Sequence, residues 1–387
     1  MSPTEPSQED GLPHEDGTAG PAGHPRPHLP DYGGACLSNV VPALLEWTDA
    51  PDWLPEPAAS ADQVVLLVLD GLGWEQLQER RDLAPTLSSL AGRAISSVVP
   101  STTATALTSI TTGLPPGEHG VVGYRMAVEG EVLNVLRWST SNGDARDRFP
   151  PERLQDVMPF AGQRPPIVTK TEFATSGFSG AHLHQVRFHG YRLPSTMLVE
   201  LRHLLNANEP FVYAYYDGID KVAHEYGFGE HYDAELVAVD RLVADIVDLL
   251  PPRAALLVTA DHGHVHTGGD VTTPHPQVLA ETAMQSGEGR FRWFHARPGR
   301  TPALLEALTT HHGEQGWIRT RDEAISEGWY GPKVTDMARA RMGDVLLAPW
   351  GNLAILDPAD TGPYHLVGRH GSVTSAEMLV PLLAAGG

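Results

Sequence analysis

Three short apolar runs that each lead into aspartate constrain this chain more than any other feature. Residues 64–69 end at Asp70, residues 211–216 lead to Asp217 and Asp220, and residues 254–259 lead to Asp261. Runs this short and this uniformly apolar are strands buried on both faces, as in a parallel sheet. Parallel strands need crossovers, and helix-like segments follow. Residues 103–112 form one, with Gly113 placed as a C-cap. Residues 232–250 form another, with Leu236, Val239, Leu242, Val243 and Ile246 on one side. The fold class expected is α/β, a mostly parallel central sheet sandwiched by helices. The aspartates then gather at the carboxyl edge of the sheet, where open α/β folds place their sites.

The coarse reading of the remaining chain is a helix over 37–47, a linker over 51–61, a short helix over 86–94, a strand over 94–99 and a hairpin over 123–137. Residues 140–205 are less regular, with strand edges at 165–168 and 180–182 and a helix over 195–206. Later strands are expected at 290–295, 344–347 and 352–356, and the chain closes with a short apolar segment over 378–383.

At 387 residues and 41% hydrophobic the chain can bury a large core. It carries no run of eighteen apolar residues and no secretory leader at its start, so a membrane partner is not expected. The single Cys36 forbids an internal disulfide and fits a reducing, cytoplasmic location. A net charge of −21 argues against binding a nucleic-acid polymer. It is compatible with a small phosphorylated substrate, because bound divalent cations reverse the local field. Residues 1–33 are rich in Pro, Gly and acidic side chains and are expected to be a disordered tail, with residues 34–387 as the working domain.

Chemistry concentrates where carboxylates meet histidines. Asp220 and His224 are four apart, which on a helix puts both on one face. Asp261 and His262 are adjacent just beyond a strand, and His370 precedes Gly371. With Asp70 these make three carboxylates and three imidazoles, a donor set suited to Zn²⁺, with Mn²⁺ or Fe as other occupants. Six ligands serve two metals that each keep an open position. Pro100-Ser101-Thr102-Thr103 precedes a helix, where a hydroxyl sits beside unpaired N–H groups and can be activated by a metal. One of these hydroxyls can cap the helix while another reacts. Asp217, His264, His266 and His275 read as loop residues, and His182, His184 and His189 as part of the irregular region. Lys170 and Arg125 are candidate partners for substrate charge, and Trp138 and Tyr191 are aromatics that could stack on a base or fill the core. The Gly-x-x-x-x-Gly-Lys loop, the Gly-x-Ser-x-Gly elbow and the Cys-x-Pro-x-Arg pattern are absent.

In order, Val-Leu-Asp70-Gly, Pro-Ser-Thr-Thr103, Thr112-Gly-Leu-Pro-Pro-Gly-Glu-His119-Gly, Asp220-x-x-x-His224-x-Tyr-Gly, Ala-Asp261-His262-Gly and His370-Gly resemble the alkaline phosphatase superfamily. They look most like its type I phosphodiesterase/nucleotide pyrophosphatase branch. The resemblance implies an alkaline-phosphatase-like sheet and two divalent metals, most simply zinc. Asp220, His224 and His370 would hold one ion. Asp70, Asp261 and His262 would hold the other, together with the oxygen of Thr103. Family spacing back from Thr112-Gly113 selects Thr103 as the nucleophile, which would form a phospho-threonine ester and yield it to water. The reaction implied is cleavage of a phosphodiester or pyrophosphate bond, with a nucleotide as one candidate substrate. A phosphomonoesterase, a phosphonate-bond hydrolase and a non-catalytic metal-stabilised binding protein are the alternatives. The family places an Asn shortly after the His-Gly pair; here Tyr124 stands there, and its phenol is a candidate phosphate contact. Residues 126–209 are expected to be an inserted, cap-like region that shapes the substrate pocket.

Overall fold

The central sheet has seven strands: β1 (Gln63–Leu69), β2 (Ala91–Ser96), β3 (Pro166–Lys170), β4 (Arg187–Tyr191), β5 (Phe211–Tyr216), β6 (Ala254–Thr259) and β7 (Leu379–Gly386). Their order is β2-β7-β6-β1-β5-β3-β4. The computed structural model from which this follows describes residues 24–360 and 366–387. Strands β6, β1, β5, β3 and β4 run parallel, while β7 is antiparallel to both β6 and β2. Every residue of β1 is buried, and Val65 through Leu69 have no exposure at all. Each aliphatic side chain so placed contributes about 1.5–3 kcal/mol relative to exposure. Register does the rest: Leu69 pairs with Tyr216 and Val68 with Thr259, so the turns after β5, β1 and β6 emerge side by side.

Helix α1 (Leu37–Leu45) packs on α2 (Thr103–Thr112). Gly113 ends α2 with φ 71°, and a Cβ there would come within 2.6 Å of Pro42 in α1, so glycine is required on both counts. Helix α3 (Gly218–Tyr226) follows β5 directly, and α4 (Glu230–Val247) returns the chain to β6. The five apolar residues expected on one side of α4 are all buried. Buried Asp240 on α4 accepts the backbone N–H groups of Thr86 and Leu87 at 3.1 and 2.8 Å, tying a short helix (Pro85–Ser89) to it. A second, antiparallel sheet places Phe291–Ala296 between Thr282–Glu288 and Val345–Pro349, with Gly316–Thr320 at its edge. Four short strands between Arg125 and Asp144 form a third sheet.

Several expectations shift. The strand expected from 94 starts at Ala91, because β2 is an edge strand whose first three residues are exposed and carry no apolar signal. Residues 180–182, expected as a strand edge, belong to the helix Gly177–His182, whose N-cap Ser176 accepts from Ser179 N at 3.0 Å. The region expected as one inserted cap divides in two. Its first part forms the small third sheet, but β3, β4 and the helix Pro194–Asn206 belong to the central sheet layer. Residues 1–23 of the expected tail lie outside the described residues. Residues 24–33 run along the body: Pro25 O accepts the Trp317 indole at 2.9 Å, His28 N reaches Val373 O at 2.8 Å, and Tyr32 Oη donates to Trp329 O at 2.9 Å. No described helix is long and apolar enough to cross a membrane.

Candidate metal centre and active site

The strand ends deliver the carboxylates. Asp70 leaves β1, and its backbone O accepts the N–H of Asp220 at 3.0 Å, which seats the first turn of α3 against the end of β1. Asp261 leaves β6, and its Oδ1 accepts Gly71 N at 3.0 Å and His262 N at 3.1 Å. Asp70 Oδ2 accepts the hydroxyl of Tyr215, near the end of β5. The histidines are oriented by backbone carbonyls. Nδ1 of His224 lies 2.7 Å from Gly368 O, that of His262 3.1 Å from Gly263 O, and that of His370 2.9 Å from Ser101 O. A carbonyl can only accept, so each ring carries a proton on Nδ1 and turns Nε2 inward.

Two donor clusters result. In the first, Nε2 of His262 lies 3.4 Å from Asp70 Oδ1, 3.3 Å from Asp261 Oδ2 and 3.1 Å from the Thr103 hydroxyl. In the second, Nε2 of His224 lies 3.2 Å from Asp220 Oδ1 and 3.3 Å from Nε2 of His370. The rings of His262 and His370 stack with centroids 3.5 Å apart, joining the clusters. All six ligands expected from sequence, and Thr103, therefore come together. So does His264, which had read as a surface loop residue. It is fully buried, and its Nε2 lies 3.1 Å from Asp220 Oδ1. His266 is exposed, and His275 caps the helix Pro276–Glu281 by accepting from Gln277 N.

The protein alone does not satisfy this cluster. Asp70 Oδ1, Asp220 Oδ1, Asp261 Oδ2 and His264 Nε2 are buried without hydrogen-bond partners. Burial, then the charges of Asp261 and Asp220, pushes the Asp70 carboxyl well up. Burial raises Asp261 to about 7. Burial, with His264 nearby, drops His262 to about 3. Burial works against charge on Asp220 as well, but His224 and His264 override it and hold that carboxyl low. Orphaned acceptors and buried carboxylates facing the Nε2 atoms of several imidazoles are what a bound cation would relieve, so the donor set fits divalent metal.

Thr103 is the first residue of α2 and Thr102 its N-cap. Ser101, the third hydroxyl, faces elsewhere: its Oγ donates to Ser372 O at 2.6 Å. Thr103 lines a cleft of about 1030 Å³ whose walls include Tyr124, Asn134, Glu288 and Arg369. It also lines a second, smaller cavity of about 220 Å³ with Phe173, Phe178 and Lys221. Tyr124 Oη accepts the Asn134 amide at 2.6 Å. Glu288, not singled out from sequence, is pushed up to about 8 by burial, against the pull of Thr102. Between Gly287 and Gly289 it carries no sequence signal of a site.

The other candidates are engaged elsewhere. Lys170 and Lys221 both pair with buried Asp217, at 2.5 and 2.7 Å. Arg125 pairs with Asp357 at 3.3 Å and with Asp360. His182, His184 and His189 form no set: the first two bond carbonyls of their own segment and the third faces Glu200 at 3.5 Å. Trp138 and Tyr191 are core residues whose polar atoms bond Phe149 O at 2.7 Å and Tyr215 O at 3.1 Å.

No curated protein sequence matches the chain. Its fold is shared with solved structures at low identity. Murine ectonucleotide pyrophosphatase/phosphodiesterase 5 aligns at 14% identity, over 84% of this chain and 88% of that one, with a TM-score of 0.64. An inactive variant of that murine protein in complex with AMP aligns at 15% identity over the same shares, with a TM-score of 0.63. Phosphonoacetate hydrolase from Sinorhizobium meliloti 1021, in complex with phosphonoformate, aligns at 20% identity over 84% of this chain and 90% of that one, with a TM-score of 0.60. The family model described as type I phosphodiesterase/nucleotide pyrophosphatase matches residues 64–373, from β1 through the His370 loop. With most of its length matched, the chain belongs to the type I phosphodiesterase/nucleotide pyrophosphatase family.

Proposed function

We propose that this chain is a two-metal hydrolase that cleaves a phosphodiester or pyrophosphate bond through Thr103. The observation that carries the reading is the 3.1 Å approach of the Thr103 hydroxyl to His262, beside partnerless Asp70 and Asp261 oxygens and facing an open cleft. Asp220, His224 and His370 would hold one ion, and Asp70, Asp261 and His262 would hold the other with the Thr103 oxygen. When bound, two Zn²⁺ ions (or Mn²⁺) supply Lewis acidity toward the attacking and leaving oxygens.

The chain supplies the remainder. Thr103 Oγ1 forms a bond to phosphorus as the bond to the leaving oxygen breaks, and water later cleaves the threonine ester. Because α2 begins at Thr103, its unpaired N–H groups and positive end are available to phosphoryl oxygens. Tyr124 Oη, held by Asn134, stands in the cleft wall as a further donor to phosphate. Thr103, Leu136 and Asp220 line both cavities, which gives space for a substituent on either side of phosphorus and favours a diester over a monoester. The AMP carried by the murine structure makes a nucleotide the first substrate class to screen.

A phosphonate-bond hydrolase is the second reading. It is favoured by the phosphonate ligand of the Sinorhizobium structure and by the smaller cavity beside Thr103, whose wall includes the Asp217-paired Lys221. The test is turnover of bis(p-nitrophenyl) phosphate, p-nitrophenyl phosphate and phosphonoacetate by chelator-stripped protein, before and after Zn²⁺ or Mn²⁺ is restored. Metal-dependent preference for the diester is expected. Preference for the monoester refutes the diester reading, and phosphonoacetate turnover alone establishes the second. Absence of turnover with metal bound leaves two readings, a narrowly specific pocket or a non-catalytic binding protein.

A further inference from the structure

The proposed metal sites use three imidazoles, but four face the cluster. His264 is fully buried in the loop after β6. Its Nδ1 lies 3.3 Å from Gly71 O, so the ring proton belongs there and Nε2 presents a lone pair. That Nε2 has no hydrogen-bond partner, and neither does the oxygen it faces at 3.1 Å, Asp220 Oδ1. Two bare acceptors at this distance repel, and an unpartnered buried polar atom is costly, unless a cation lies with them. The same Asp220 oxygen is 3.2 Å from Nε2 of His224 and 3.9 Å from Nε2 of His370. Three oriented imidazoles therefore converge on one carboxylate oxygen.

Local structure is shaped to admit the ring. Gly71 turns the chain after β1 with φ 77°, and a Cβ on it would meet His264 Cε1 at 2.6 Å. The same glycine donates its N–H to Asp261 and offers its carbonyl to His264, so one turn orients a donor of each cluster.

We infer that His264 is a fourth protein ligand of the ion held by Asp220, His224 and His370. The inference rests on the two-metal reading above and makes the two ions unequal. Three imidazoles and a carboxylate would give Zn²⁺ four protein donors, with a substrate oxygen entering as a fifth, and a site so rich in donors holds its metal more firmly. They favour Zn²⁺ over Mn²⁺ at that position. The other ion, held by two carboxylates, His262 and Thr103, is the more exchangeable of the two and the one more exposed to replacement by Mn²⁺.

Protein reloaded with two equivalents of Co²⁺ provides a readout independent of turnover. Each imidazole bound through Nε2 carries an Nδ1–H whose NMR resonance is displaced far downfield and is lost in D2O. Four such resonances are expected in the wild type, from His224, His262, His264 and His370, and three in His264→Leu. That variant should also lose one metal equivalent to a competing chelator at least ~10-fold more readily. Three resonances in the wild type would overturn the inference and leave the two-metal reading standing. No displaced resonances, with Co²⁺ unbound, would overturn that reading and the inference with it.

Discussion

Replacing Glu377 by Gln should destabilise the fold strongly. Glu377 and Arg290 are both fully buried. They meet through two hydrogen bonds, Nε to Oε1 at 3.0 Å and Nη2 to Oε2 at 2.7 Å. Glu377 also accepts Ser372 N at 3.0 Å and the Thr374 hydroxyl at 2.6 Å, which fixes the loop that carries His370. Arg290 reaches on to Leu353 O at 2.6 Å and to Gly351 O. An amide in place of the carboxylate leaves the guanidinium buried without its counter-charge and points one donor at another. Breaking a buried pair from one side costs about 3–5 kcal/mol, whereas removing both charges costs far less. Urea unfolding of wild type, Glu377→Gln, Arg290→Met and the Arg290→Met/Glu377→Gln double variant measures both quantities. The single variants should each lose about 3–5 kcal/mol, and the double should lose at least ~1 kcal/mol less than their sum. A loss below ~1 kcal/mol for Glu377→Gln, or strict additivity in the double, would refute the reasoning.

Tyr215→Phe removes the hydroxyl that orients Asp70 and should weaken the Asp70/Asp261/His262 ion by about 10–100-fold in chelator competition, with little change in unfolding midpoint; unchanged affinity would mean that the hydroxyl does not position the carboxylate. His119, buried against Ser109 at 2.8 Å, is lowered to about 3 by burial and then by Arg341. The folded state therefore binds fewer protons than the unfolded state between pH 6.5 and 3, so stability is full above 6.5 and falls as pH drops through that window. His119→Gln should flatten the fall by up to about 1.4 kcal/mol per pH unit in urea unfolding at pH 4–6, and an unchanged slope would count against a neutral buried ring.

Much of this was legible in sequence because burial and metal chemistry both write strong patterns. Strands β5 and β6 were bounded to the residue, since a strand buried on both faces is apolar throughout and ends where a carboxylate begins. The α2 boundary was equally plain from Thr103 and Gly113. Edge strands were harder. The exposed start of β2 and the polar β4 owe their existence to backbone pairing, which leaves no periodic apolar signal. His264 was visible as a second histidine across Gly263, but whether such a ring turns inward depends on a carbonyl at Gly71, 193 positions away in the chain. Glu288 and the Arg290–Glu377 pair, joined across 87 positions, could be found only once tertiary structure brought them together.

The account turns on Thr103, and one measurement reaches it directly. Wild-type protein and Thr103→Ala, each reloaded with Zn²⁺, would be assayed for diester turnover and metal content, and acid-quenched samples would be searched by mass spectrometry for a phosphoryl adduct on the peptide containing Thr103. The account predicts an adduct on Thr103 in the wild type, and no turnover with near-normal metal content in the variant. Retained turnover in Thr103→Ala, or an adduct on Ser101 or Thr102 instead, would contradict it.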